Sequence, residues 1–202
     1  MPKWLKITLI VLGIGTAALI VKFVPIIIMI VSIMNAKIEV YDDVSSYESY
    51  LAGPQNKWLK WDMDESIWPA HITDSMKVKD YKMVYYNPWD AQYLGYLVVE
   101  YTPEAYAEEI SRLKAYPSND YIGIYSVKEE KTHELLAVHA DEYHGFVYAL
   151  AGGEHEIIYA EQIFCYYIMD LDYTQYIPGD YLLDGFDAGS GNAYRKQMMN
   201  EK

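Results

Sequence analysis

A single cysteine, Cys165, occurs among 202 residues, which excludes an internal disulfide framework and any multi-cysteine zinc centre. It lies in the apolar run QIFCYYIM, a setting for a packed side chain rather than a reactive thiolate. Positive charge is scarce: 16 Lys and Arg against 29 Asp and Glu give a net charge of −13. Binding to a phosphate backbone needs the opposite sign, so nucleic acid is excluded as a partner. No G-x-S-x-G nucleophile turn and no phosphate-cradling glycine loop is present, and no cofactor is expected. Phenylalanine is rare, with 4 residues, whereas tyrosine reaches 22.

Charge is also missing from one long stretch. Residues 7–34 (ITLIVLGIGTAALIVKFVPIIIMIVSIM) contain only Lys22 as a charged residue and lack the polar face of a helix in a soluble core. About 20 apolar residues cross a bilayer, so the run reads as an uncleaved membrane anchor. A cleavable signal has an apolar core of about 7–15 residues ending in a small-x-small site, and Met34 two residues before Ala36 is not small. The run would extend about 42 Å against a hydrocarbon layer of about 30 Å. The anchor is placed at residues 5–29, and a bilayer crossing from about Leu5 to about Val24 within it puts Lys22 near the outer end, where its ammonium can snorkel to the headgroups. Pro25 then kinks one continuous helix. Lys3 and Lys6 lie at the leading end of the span and no acid occurs before Glu39, which by the positive-inside rule puts this end in the cytoplasm and the remainder outside. Residues 1–38 hold four lysines and no acid, so the rest carries 12 basic and 29 acidic side chains, a net of −17. Anionic headgroups repel such a domain.

The expected fold is α+β: an N-terminal transmembrane helix, then a mostly antiparallel sheet with one or two packed helices over residues 39–187, and a flexible tail over 188–202. A first helix is expected over 42–51, ended by Gly53-Pro54. Trp58, Trp61, Trp68 and Pro69 read as a packed loop, or as a stacking platform for sugar or peptide. Strands are expected at 78–86, 93–101, 121–127, 134–139, 143–150 and 156–167. Thr102-Pro103-Glu104 starts a helix reaching Ala115, with Thr as cap and Pro in the first turn. The tail is expected to fray from Asp184 onward.

Candidate sites are few. With Asp141-Glu142 as a two-residue turn, His139 faces His144, close enough to share a metal or a proton; the same pair also reads as two half-exposed surface histidines. Asp170, Asp172, Asp180, Asp184 and Asp187 resemble an oxygen-rich calcium loop, but Gln175 and Tyr181 occupy the positions where an EF-hand needs glycine and glutamate. Glu100, Glu104, Glu108 and Glu161 are formal members of a hydrolytic acid pair. All 22 tyrosines follow the anchor. Where two adjoin in a strand, one points away from the core, so Tyr85, Tyr86, Tyr93, Tyr96, Tyr166 and Tyr167 are the expected binding surface.

The runs IWPAHI, DYKMVYYNPWDAQYLGYLVVEYTPEAYAEEISRL, HGFVYAL and DYLLDGFDA, spread over residues 65–187, resemble small uncharacterised single-pass membrane proteins of Gram-positive bacteria. That resemblance implies a bacterial cell-envelope location and transfers no activity. Together these readings give the expectation of a membrane-anchored, extracytoplasmic, non-catalytic binding module, its partners the lipid bilayer and an envelope protein or wall polymer. Two alternatives stand beside it: a cell-wall hydrolase using an acidic pair, and an immunity or regulatory protein that binds a basic partner.

Overall fold

A run with no polar face must satisfy its backbone hydrogen bonds internally, and Lys3–Asn35 form one continuous helix, α1, that passes through Pro25. Within it Ile14–Asn35 is long and apolar enough to cross a membrane, a property that anchors and signal sequences share. The computed structural model describes residues 2–51, 60–121, 127–128, 132–141, 143–164 and 171–187. The chain divides into two units, one holding α1 (Met1–Lys37, with Asn87–Trp89) and the other holding a sheet (Ile38–Tyr86 and Asp90–Lys202).

Alternating and β-branched runs in the second unit form six strands: β1 (Glu39–Tyr41), β2 (Met76–Tyr86), β3 (Gln92–Tyr101), β4 (Leu135–Asp141), β5 (Gly145–Ala151) and β6 (Glu156–Ile163). The order is β1-β2-β3-β6-β5-β4, and every pairing is antiparallel. A bulge between Val78 and Asp80 shifts the β2–β3 register and so re-aims the side chains beyond it. A short helix α2 (Tyr47–Leu51) precedes β2, and helix α3 (Pro103–Lys114) follows β3. The cap signal is realised: the Thr102 hydroxyl accepts from the Ala105 N–H at 3.4 Å, Pro103 opens the helix, and Arg112 and Lys114 sit in its last turn. β6 ends at Ile163, where Phe164 turns to φ 58°; the remaining residues expected in that strand, and most of the one expected at 121–127, lie outside the described residues.

Both faces of the sheet are covered. On the first face Tyr93, Leu97, Tyr159 and Ile163 pack with Tyr47, Tyr50, Trp68 and Leu113. On the opposite face Leu94, Tyr96, Tyr148 and Ile158 pack with Leu171, Ile177 and Leu183. The segment 171–187 supplies the second cover through two single-turn 3-10 helices, and it corrects the expectation of fraying from Asp184. The Asp184 carboxylate accepts from the backbone N–H and the hydroxyl of Thr132. Phe186 lies edge-on to Phe146 and Tyr173, with ring centroids 5.6 and 4.9 Å away. Residues 188–202 lie outside the described residues.

Candidate functional site

Alternate residues of β6 face the α3 side, and among them stand Ile157, Tyr159 and Ile163 of the first core. Glu161 shares that parity, is 0% exposed, and pairs with Gly95 of β3 and Val147 of β5 at the middle of the sheet. A carboxylate placed there costs several kcal/mol unless it is paired and hydrogen-bonded. Its partners come from segments about a hundred residues earlier. Lys60 Nζ lies 2.9 Å from Glu161 Oε2, and the Tyr50 hydroxyl donates to Oε1 at 3.1 Å. Lys60 is 1% exposed, and its ammonium sits 4.2 Å from the centre of the Tyr50 ring.

The backbone is bent hard to achieve this. Lys60, Trp61 and Asp62 adopt φ of 44°, 57° and 60°, a left-handed run that costs about 1–3 kcal/mol per residue without glycine. The turn sends Lys60 into the core and lays Trp61 outward. The Trp61 ring stacks on Phe164 at 4.6 Å and on His144 at 5.9 Å, while its indole N–H donates to the Ala91 carbonyl at 2.8 Å.

A second carboxyl, Glu65, also bonds Lys60 Nζ. Burial pushes the Glu65 carboxyl up to about 9, helped by the negative Glu161 and opposed by Lys60. Two carboxyl groups thus share one ammonium, and Glu65 keeps its proton at neutral pH. Burial, reinforced by Glu161, holds the Tyr50 hydroxyl well above its ordinary range, so it remains a donor.

Arg112 of α3 fixes the loop from the other side. It donates to the carbonyls of Ser66 and Ile67 at 2.7 Å each, and to Glu109 at 2.6 and 2.7 Å. Tyr159 donates its hydroxyl proton to Glu109 at 2.6 Å, so in the 2.6 Å contact between Tyr101 and Tyr159 the donor is Tyr101. Above this framework lies an open cavity of about 580 Å³. Leu51, Trp68, Pro69 and Met76 give it apolar walls, and Glu65, Glu109 and Arg112 place charge in it. Glu65 is the only member of the buried trio with notable exposure, 15% against 1% for Lys60 and 0% for Glu161. Trp68 is buried against Tyr47 and Tyr159, and its Nε1–H has no acceptor among the described residues.

The residues expected from sequence fare differently. The β4–β5 register pairs His139 with Val147 and Asp141 with Gly145, so His139 does not face His144. The turn is longer than two residues because the Asp141 carboxylate collects the N–H groups of Tyr143 and His144, both at 2.8 Å. His144 is turned toward Trp61, with Nδ1 3.0 Å from Asp141. No group of three or more metal-type ligands occurs among the described residues.

Tyr93 and Tyr96 are buried, at 2% and 4% exposure, because both sheet faces are covered. Tyr85 and Tyr86 are half-buried against opposite cores. These four do not form an exposed patch, and Tyr166 and Tyr167 lie outside the described residues. Glu100 pairs with Lys79 at 2.8 Å on the surface, and Glu104 and Glu108 are exposed on α3. Asp172 caps the turn 173–175, and Asp170 lies outside the described residues. Lys60, Glu65, Tyr50 and Trp68 were not singled out by pattern as partners; only Glu161, a charge inside an apolar strand, signals the cluster. No family model, curated protein or solved structure matches the chain.

Proposed function

We propose that the chain is a membrane-anchored, extracytoplasmic, non-catalytic binding module and that the cavity over Glu65 is where it holds its partner. The observation that carries this reading is the built character of that cavity. Three consecutive left-handed residues, a buried ion cluster and an Arg112 clamp fix the loop beside about 580 Å³ of open space. The length and apolarity of α1, lysines on its leading side, and the acidic remainder of the chain support a single-pass anchor with the sheet unit outside. The resemblance to envelope proteins of Gram-positive bacteria points the same way.

Ala70 is exposed and lines the cavity, so Ala70→Trp obstructs it from the surface side. Crosslinking in intact bacterial cells is expected to capture an envelope protein or wall polymer, and A70W is expected to reduce that capture roughly tenfold or more at unchanged melting temperature. Undiminished capture by A70W overturns the site. Protease added to protoplasts should remove the sheet unit; protection of it overturns the orientation. The hydrolase reading is favoured by one observation: Glu65, with its proton retained, and Glu109, ion-paired to Arg112, line the same cavity. Cleavage of wall polymer by the wild-type chain, lost in Glu65→Gln, would replace the binding reading.

A further inference from the structure

The buried cluster is one positive charge short. Among the described residues Glu65 and Glu161 have Lys60 between them as their single cation, and a proton on Glu65 makes up the difference. Any cation replacing that proton must arrive through the cavity, because Glu65 alone of the three reaches it. The charges already in the cavity are spoken for. The Arg112 guanidinium is divided between Glu109 and two backbone carbonyls, and His71 Nδ1 lies 3.0 Å from Glu48. The walls near Glu65 are aliphatic and aromatic. A complementary ligand therefore has a cationic head and an apolar stem.

We infer that the cavity takes a basic side chain of an extracellular polypeptide, with its cationic head on Glu65 and its stem along Trp68, Pro69 and Met76. The inference rests on the binding-module reading and names the chemistry of its partner. The net charge of −17 outside the anchor adds long-range attraction for such a polypeptide. Binding the cation expels the proton: the Glu65 O–H bond breaks, the proton leaves to solvent, and an ion pair replaces it. The charged and titratable groups facing Glu65 are Lys60 and Glu161, with Tyr47, Tyr50 and Tyr93 contributing hydroxyls. On the cavity side they are His71, Glu109 and Arg112.

The full-length chain in detergent micelles is titrated with acetyl-Gly-Lys-Gly-amide and with its norleucine counterpart, which keeps the stem and lacks the ammonium. The lysine peptide is expected to saturate at about tenfold lower concentration. Its binding at pH 7 should release close to one proton, and its affinity should rise by up to about tenfold per pH unit between pH 7 and 8.5. Glu65→Gln should abolish the preference and the proton release together, whereas His71→Asn should leave the pH slope in place. Equal binding of the two peptides, binding of neither, or a lysine preference that survives in E65Q overturns the inference. The binding-module reading is judged separately, by the A70W capture.

Discussion

Replacing Lys60 by methionine is expected to lower the stability of the sheet unit by about 3–5 kcal/mol, among the largest effects available to a single substitution. The side chain is nearly isosteric, so packing loss is small. What is lost is the only cation among the described residues that faces a carboxylate with 0% exposure. Glu161 would retain only uncharged donors, the Tyr50 hydroxyl at 3.1 Å and the protonated Glu65 carboxyl, with β3 and β5 blocking water on either side. Near-UV circular dichroism of the full-length chain should show the melting temperature falling by roughly 6–20 °C, at about 2–4 °C per kcal/mol for a chain of this size. The triple variant Lys60→Met, Glu65→Leu, Glu161→Met should recover most of that loss, since an all-apolar cluster of similar volume avoids the desolvation cost.

The pH dependence gives a separate check on the same cluster. Glu65 has its carboxyl pushed up to about 9 in the fold, so between about pH 5 and 9 the folded state holds a proton that the unfolded chain has released. Stability therefore falls as pH rises through that window. Glu65→Gln should flatten this fall. A K60M variant melting within 2 °C of wild type would show that Glu161 finds solvent or a proton of its own, and the pairing argument would collapse.

How far the fold is legible in the residues depends on the range of the interaction that decides each element. α3 is written locally: a Thr cap, Pro in the first turn, an apolar stripe and basic residues at the end, all within 102–114. β3 is equally local, dense in tyrosine and β-branched residues. The second cover of the sheet is not, because 171–187 contains no long amphipathic element and packs through scattered residues such as Leu171, Ile177 and Phe186. Missing that layer inverted the reading of the tyrosines. A ring on the outer side of a one-faced sheet meets water, whereas here Tyr96 meets Tyr181 at 5.1 Å and donates to Asp80 at 3.2 Å. Tyrosine replaces phenylalanine in both cores because hydroxyl partners are built in: Tyr148 donates to the Tyr181 carbonyl at 2.6 Å, and Tyr116 to Asp64 at 2.8 Å.

The candidate site was legible by half. Glu161 in the strand EIIYAEQI marks a buried charge, but Lys60 lies 101 positions away, and no local pattern joins them. The sequence KWLKWD around Lys60 offers no glycine to announce its left-handed turn. The His139–His144 register failed for a nearer reason. Asp141 stops β4 by taking the N–H groups of the two residues that would otherwise extend the hairpin, which is the local competition that aspartate offers to a strand ladder.

That same turn carries the second large effect, at Gly145. Its φ is +117°, a region where a side chain is strained whatever its size. It also sits where β5 starts, paired with Asp141 on one side and Ile163 on the other. A Cβ there would lie 2.0 Å from the carbonyl oxygen of Gln162, and because that atom is backbone within β6 it cannot swing aside. Gly145→Ala must therefore push β5 away from β6 or flip the turn, at a cost on the order of 3 kcal/mol from strain and overpacking together. The melting temperature should drop by roughly 6–12 °C. Damage should spread to the neighbouring ring stack, since the His144 carbonyl accepts from the Phe164 N–H at 2.6 Å and both rings lie against Trp61. Trp61 fluorescence should accordingly shift toward that of a solvated indole. Gly179→Ala is the matched control: a Cβ there meets nothing within 4 Å, so the change should be neutral or stabilising by about 0.4–1 kcal/mol through the unfolded chain. If G145A and G179A melt together, the close approach of β5 to β6 at Gly145 is not what shapes this corner, and the placement of His144 against Trp61 loses its structural cause.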